Sequence, residues 1–297
     1  MYKEIAIIAP TASGKTALSI NLAHKMNAVI LSLDSLAVYK QIDIASAKPT
    51  LAERDGIVHF GIDKVLPNQK FDVIEFIQEY RCAKKYAQDN NKNLIIVGGT
   101  GFYLKSMIDG LSPFPTLSEK TKDIVKEKMY NIDDVYNELS NKDTSYMKNI
   151  ASSDKYRIQK ALEIFTQTNQ TPSFYFENNK PTPIINNINI YEIITPVDIL
   201  RDRIKLRTKQ MIDTGLIDEV IFLENRYSRK PNSMKSIGIV EGLDYLDGKL
   251  TKEQLEEQIF IHTSQLAKRQ RTFNKSQFSH KSQESLKNLE KKILSMV

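Results

Sequence analysis

The stretch Ile5-Ala6-Ile7-Ile8-Ala9-Pro10-Thr11-Ala12-Ser13-Gly14-Lys15-Thr16 decides the fold of this chain. It opens with a short apolar run that is typical of a buried strand, and apolar residues at helical spacing follow it over 17–23. The segment between them matches a phosphate-binding P-loop, in which backbone N–H groups and the N-terminus of the next helix surround phosphate oxygens. We therefore predict that the chain binds a diphosphate or a longer polyphosphate.

Each residue of this loop has an expected role. Lys15 adds a positive charge, and the Thr16 hydroxyl is the expected Mg²⁺ ligand. The backbone cradle consists of Ala9, Pro10, Thr11, Ala12, Ser13 and Gly14. Ala9 stands where glycine is usual, and alanine suffices if that position needs no positive φ. A chance Gly-Lys-Thr turn is disfavoured by the flanking pattern, but the loop alone does not separate kinases, nucleotide hydrolases and transferases that release diphosphate.

Two further apolar runs complete the expected core. The run over 28–31 leads into Asp34-Ser35, and the run over 94–97 leads into Gly98-Gly99-Thr100-Gly101, with a helical pattern over 73–87 between them. Continuous apolar strands alternating with helices predict an α/β fold, namely a P-loop NTPase-like parallel sheet flanked by helices. Ligands of such sheets bind beyond the carboxyl ends of the strands, where all three segments emerge.

The sequence changes character after Pro115. The segment 116–185 is polar and predominantly helical in pattern, which predicts a mostly helical insertion domain, so the core domain consists of 1–115 and 186–297. A strand over 188–194 returns the chain to the sheet. Long helical patterns follow over 200–224 and 251–273.

Composition narrows the class of protein. The chain has 297 residues, one cysteine and no apolar run long enough to span a membrane, so we expect a cytoplasmic protein without disulfides. The formal charge is +6, and no carboxylate lies between Glu257 and Glu284. That interval carries five cations, Lys268, Arg269, Arg271, Lys275 and Lys281. A nucleic-acid surface and a solvated helix face explain this basic run equally well.

A few other side chains are candidates for chemistry. Asp34 at a strand end could be a Mg²⁺ ligand, a general base or a helix cap. Arg203 and Arg207 lie one helical turn apart and could clamp a diphosphate, although paired arginines on a helix are often solvated. The four histidines show no metal-ligand spacing.

Several segments together resemble the bacterial tRNA dimethylallyltransferases. They occur in the order of that family and span nearly the whole chain. They are 10–16, Asp34-Ser35 with 38–40, Asp43-Ile44 with 47–49, 97–100 with Tyr103, 110–113, Arg157 with 161–163, and 265–270.

The resemblance implies a reaction and its residues. A dimethylallyl group would move from dimethylallyl diphosphate to the exocyclic N6 amine of the adenosine 3′-adjacent to the anticodon, in tRNAs reading codons that begin with U. By this resemblance Asp34 is the general base, Arg207 and the P-loop hold the diphosphate with Mg²⁺ on Thr16, and Thr100 lies where the base enters. The family also implies an RNA-contacting set around the anticodon stem-loop, namely Asp34, Ser35, Leu36, Ala37, Thr100, Lys122, Tyr156, Arg157, Lys160, Lys268 and Arg269.

With the resemblance, the basic run favours RNA, and we expect a monomer. Three positions depart from the family pattern: Ala9 for glycine, Ile239 where tyrosine is common, and Phe273 where tryptophan is common. Three alternatives remain. A small-molecule P-loop kinase binding ATP would share the loop and sheet. A free-adenylate isopentenyltransferase would need no RNA surface, and a nucleotide-dependent RNA-binding protein would need no base at Asp34.

Overall fold

The computed structural model describes residues 2–295. Its chain divides into two compact units, one formed by Met1–Ser106 with Ile185–Val297 and the other by Met107–Ile184.

The first unit is built on a six-stranded sheet in which every pair of neighbouring strands is parallel. The strands are β1 (Glu4–Ile8), β2 (Ala28–Leu33), β3 (His59–Phe60), β4 (Asn93–Gly98), β5 (Asn189–Ile193) and β6 (Ser282–Glu284), in the order β3-β2-β4-β1-β5-β6. The predicted parallel sheet is thereby confirmed. The apolar runs lie at its centre because β1 and β4 are covered on both faces.

Helix α1 (Lys15–Met26) connects β1 to β2, α2 (Val73–Asp89) connects β3 to β4, and α3 (Gly101–Asp109) follows β4. Leu18 and Leu22 of α1 pack in one apolar cluster with Ile5 and Ile7 of β1. This packing fixes the start of α1 directly beyond the end of β1, which is the geometry that a phosphate-binding loop requires.

The second unit is helical. It contains α4 (Glu119–Lys128), α5 (Ile132–Lys142), α6 (Thr144–Met147), α7 (Lys155–Thr168) and α8 (Pro172–Asn178). Polar side chains accept hydrogen bonds from the first turns of these helices, at Ser118, Asn131, Asp143, Asp154 and Thr171. Such caps explain why a polar sequence still begins and ends its helices sharply. The predicted insertion domain, 116–185, falls almost entirely within this unit.

The remaining helices return to the first unit. They are α9 (Val197–Asp213), α10 (Leu216–Tyr227), α11 (Ile239–Leu246), α12 (Lys252–Gln277) and α13 (Leu286–Ser295), with a short 3₁₀ turn at Asn232–Lys235. The single helical pattern predicted over 200–224 is wrong, because it comprises two helices separated at Gly215. That glycine has φ of 103° and so ends the right-handed helix. Within residues 2–295 no helix is long and apolar enough to cross a membrane.

Candidate active site

The P-loop lies between β1 and α1, as its pattern predicts. Positive φ values fall on Ala12 (61°) and Gly14 (87°), but not on Ala9. Ala9 is fully buried and donates its N–H to the carbonyl of Gly98 at 3.2 Å. Alanine therefore serves at the first position of the loop, because no left-handed backbone is required there.

Lys15 occupies the centre of the loop. The residue is half-buried, but its ammonium nitrogen lies among protein atoms and donates to the Pro10 carbonyl at 3.3 Å. The pKa of this ammonium group is lowered to about 8, mainly by burial and also by the nearby Arg207, while Asp34 opposes the shift. An anion bound here would regain the interaction that burial has removed from the lysine.

Two arginines of α9 reach the same loop. Nη1 of Arg203 donates to the Ser13 carbonyl at 3.3 Å, and Nη1 of Arg207 donates to the Thr11 hydroxyl at 3.2 Å. Arg203 is exposed overall, whereas the Arg207 guanidinium is buried, and burial lowers its pKa. The helical spacing of the two arginines thus directs both towards the P-loop.

Asp34 follows β2 directly. Its Oδ1 accepts the N–H groups of Leu36 (2.8 Å) and Ala37 (3.1 Å), so this oxygen caps the turn that contains Ser35. Within residues 2–295 no hydrogen-bond donor lies on Oδ2. One carboxylate oxygen is therefore structural, and the other has the capacity to accept a proton or a metal ion.

The ends of β2 and β4 are joined at the same edge of the sheet. Thr100 donates its N–H to the Leu33 carbonyl at 3.0 Å, and its hydroxyl accepts the N–H of Ser35 at 3.2 Å. A Cβ on Gly98 would lie 2.2 Å from the Leu33 carbonyl oxygen, so glycine is required there. These contacts place Thr100 beside the segment that carries Asp34.

Gln270 is a site residue to which the sequence analysis gave no role. Its Oε1 accepts the N–H of Thr11 at 2.9 Å, and its amide nitrogen would lie 2.3 Å from a Cβ on Gly99. One side chain of α12 therefore contacts both the P-loop and the end of β4. The residue belongs to a segment that resembles the family, but the contact joins residues 259 positions apart and has no local sequence signal.

These elements enclose a cavity of about 360 Å³ in the first unit. Its polar lining includes Thr11, Lys15, Thr16, Asp34, Ser35, Thr100, Arg207 and Gln270. Its apolar lining includes Ile62, Ile204, Met211, Ile237 and Leu266. Cations, a carboxylate and an apolar wall together suit a ligand with an anionic end and a hydrocarbon end.

The residues predicted to contact RNA in the first unit differ in accessibility. Lys268 and Arg269 on α12 are exposed, as are Arg271 and Lys275. Lys281 is not available: its side chain is 6% exposed, and its ammonium donates to the carbonyls of Asn274 and Phe278. This member of the basic run is structural.

The two aromatic departures from the family pattern have separate explanations. Ile239 begins α11 and is fully buried in the apolar cluster of α9, α10 and α12, where no hydroxyl partner is needed. Phe273 packs its ring against Gly101, so close that a Cβ there would lie 2.9 Å from it, and contacts Phe278 edge-on. Both side chains thus belong to the packing of the first unit.

The candidate RNA residues of the second unit lie on α4 and at the start of α7. The Tyr156 side chain is 72% exposed. Arg157 pairs with Asp154 at 3.5 Å, and Lys160 pairs with Glu163 at 2.6 Å. Lys122 pairs with Glu119 at 2.6 Å on the surface. The Lys122 and Arg157 pairs are largely exposed and contribute little to stability, so each exchanges readily for a phosphate, whereas Glu163, the partner of Lys160, is buried.

The fold and the cavity define a P-loop NTPase-like α/β protein in which cations and a carboxylate face one cavity. Residues 37–277 match the model of the IPP transferase family, and a curated relative from Aliarcobacter butzleri is 55% identical over 98% of both chains. The chain belongs to the IPP transferase family.

Similar proteins carry one kind of name. The Aliarcobacter relative and a Sulfurovum relative, 50% identical over 98% of this chain and 97% of its own, are both named tRNA dimethylallyltransferase. A crystal structure of the tRNA isopentenylpyrophosphate transferase of Bacillus halodurans has 30% identity and a TM-score of 0.72, covering 100% of this chain and 94% of that one. A crystal structure of a eukaryotic dimethylallyltransferase acting on tRNA is 29% identical to this chain with a TM-score of 0.81, and the match covers 92% of this chain and 70% of that one.

Proposed function

We propose that this protein is a tRNA dimethylallyltransferase that moves a dimethylallyl group from dimethylallyl diphosphate to N6 of the adenosine 3′-adjacent to the anticodon. The single observation that carries the proposal is the cavity, in which Lys15, Arg207, the Asp34 carboxylate and an apolar wall face one space. Family membership supports the same reaction. We also propose that the protein acts in the cytoplasm and that its substrates are tRNAs that read codons beginning with U.

In this proposal the P-loop and the α9 arginines bind the leaving group. Lys15 and Arg207 line the cavity and supply positive charge for the diphosphate, which gains negative charge as the allylic C–O bond breaks. Arg203 supports the loop from outside through the Ser13 carbonyl. The apolar wall holds the dimethylallyl chain and excludes water from the allylic carbon.

The acceptor amine is assigned to the side of the cavity formed by Asp34 and Thr100. N6 of adenine attacks the allylic carbon and loses one proton, which Asp34 accepts at Oδ2 while Oδ1 keeps the turn in place. The adenine must leave its stack to reach this depth. The Thr100 hydroxyl, already accepting the Ser35 N–H, can donate its own proton to the base.

Mg²⁺ fits the oxygen atoms that this site offers. The Thr16 hydroxyl and the Asp34 carboxylate are hard oxygen donors, and no group of three or more metal-ligating side chains occurs within residues 2–295, which matches an ion held mainly by phosphate and water. When bound, Mg²⁺ would neutralise charge on the diphosphate. Thr16 is the residue we assign to hold it.

The RNA itself is assigned to cationic and aromatic residues of each unit. Lys268 and Arg269 of α12, with Tyr156, Arg157 and Lys160 of α7, supply cations and an aromatic ring for phosphates and unstacked bases. Lys122 of α4 adds a further cation. We also propose that the protein acts as a monomer.

The proposal is tested by measuring prenyl transfer to tRNA directly. The protein is incubated with Mg²⁺, dimethylallyl diphosphate and an unmodified tRNA whose anticodon ends in A, and the digested nucleosides are weighed by mass spectrometry. We expect one adenosine per tRNA to gain a dimethylallyl group. In parallel incubations that contain AMP or ATP, prenylation of AMP but not of tRNA would instead identify a free-adenylate transferase, and phosphate transfer from ATP to a small molecule would identify a kinase.

A further inference from the structure

A single carboxylate holds the backbone of the segment Asp43–Ala45. Glu219 lies in the first turn of α10, and its Oε2 accepts the N–H groups of Asp43 (2.8 Å) and Ile44 (2.7 Å). Its Oε1 accepts the N–H of Ala45 at 2.9 Å. Three consecutive N–H groups form a concave anion site, which this side chain fills. Hydrogen bonds to a charged acceptor are roughly twice as strong as neutral ones.

The segment that follows forms part of the cavity. Residues 45–49 line its wall, and the Ala47 carbonyl accepts Nη2 of Arg207 at 3.5 Å. Ala47 itself has φ of 46°, a left-handed conformation that costs an alanine energy and needs support from its surroundings. The hydrogen bonds of Glu219 end two residues before this position.

The other side of the segment is held separately. The Lys48 side chain is 5% exposed; its ammonium donates to the Tyr39 carbonyl at 2.9 Å and pairs with Asp43 at 2.6 Å and with Asp63. Lys48 therefore anchors the segment to its own loop. Glu219 anchors it to α10, and through α10 to the same apolar cluster that contains Ile212 of α9. Arg207 lies on α9, so both ends of its contact with Ala47 depend on this packing.

We propose that Glu219 is a positioning residue of the transfer site. Its carboxylate fixes the 43–45 backbone so that Ala47 orients the Arg207 guanidinium towards the bound diphosphate. The effect of Glu219 on prenyl transfer rests on the proposed function, whereas its effect on diphosphate binding does not. Glu219 and Arg207 share no hydrogen bond or ion pair, so the effect of Glu219 on Arg207 passes through the main chain of residues 43–47.

The isosteric variant Glu219→Gln tests the proposal. An amide keeps one acceptor oxygen but turns an NH₂ group towards at least one of the three N–H donors, leaving that donor without a partner. We expect hydrogen–deuterium exchange of the 43–47 amides to accelerate by about tenfold or more, and inorganic diphosphate to bind several-fold more weakly. The control is Asp218→Asn, a neighbouring exposed carboxylate on α10, for which both measurements should match the wild type.

A double-mutant cycle with Arg207→Ala separates positioning from general destabilisation. If Glu219 acts through Arg207, Glu219→Gln should weaken diphosphate binding much less in the Arg207→Ala background than in the wild type. Equal losses in both backgrounds, or wild-type exchange and affinity in Glu219→Gln, would overturn the proposal. Neither assay requires tRNA or prenyl transfer, so a wild-type protein that binds inorganic diphosphate without prenylating tRNA would refute the proposed function and leave this inference standing.

Discussion

We expect the charge of Lys15 to make the affinity for diphosphate depend on pH between 7 and 9. Burial lowers the pKa of its ammonium group from the usual 10.5 to about 8. With that value roughly nine-tenths of the unliganded protein carries the proton at pH 7 and roughly one-tenth at pH 9. Because the bound diphosphate requires the charged lysine, its affinity should fall by about tenfold over this range, about 1.4 kcal/mol.

The matched control is Lys15→Arg, whose guanidinium stays protonated throughout the range. Inorganic diphosphate also changes its own protonation over this range. The measured quantity is therefore the dissociation constant of the wild type divided by that of Lys15→Arg, obtained by calorimetry at each pH. We expect this ratio to rise about tenfold from pH 7 to pH 9. The lowered pKa of Lys15 affects the stability of the unliganded protein in the opposite direction. Between about pH 8 and 10.5 the unfolded chain binds more protons than the folded protein at this lysine, so the free energy of unfolding should rise with pH over that range.

Two results would refute this reasoning. An NMR titration of labelled lysine side chains that places the Lys15 midpoint near its usual value would show that the ammonium group is not desolvated. A flat ratio of dissociation constants with a midpoint near 8 would show that the charge is not needed by the bound diphosphate. The second result would also weaken the assignment of Lys15 to the leaving group.

Three other substitutions have distinct expected outcomes. Asp34→Asn keeps the capping oxygen but cannot accept the amine proton, so kcat should fall at least about 100-fold with tRNA affinity unchanged; near wild-type turnover would exclude the general base. Gly98→Ala places a Cβ 2.2 Å from the Leu33 carbonyl and should lower the unfolding free energy in urea by about 2–3 kcal/mol, a loss that wild-type stability would contradict. Lys268→Ala should weaken tRNA binding and reduce its salt dependence by about one counterion, whereas Lys281→Met should cost stability but leave RNA affinity intact; the reverse pattern would show that Lys281 contacts RNA.

Local pattern was sufficient for much of the architecture. The apolar runs and the helical spacing that follows Lys15 predicted the parallel sheet and the position of the P-loop, because both depend on periodicity within a few residues. The positions of Asp34 and Thr100 at one edge also followed, since parallel strands all end on the same side. The break at Gly215 was missed because a lone glycine within a helical pattern does not by itself specify a left-handed residue.

The sequence by itself therefore determined the class of fold, the position of the predicted phosphate-binding loop and, through resemblance, the reaction. Only the tertiary structure decided which charges are available: Lys281 belongs to the basic run by sequence, but burial removes it from the RNA surface. The contacts of Gln270 with Thr11 and of Glu219 with the 43–45 backbone are likewise visible only in three dimensions. The physical reason is that burial and long-range hydrogen bonding depend on neighbours that lie far apart in the chain, whereas helix and strand periodicity is set locally.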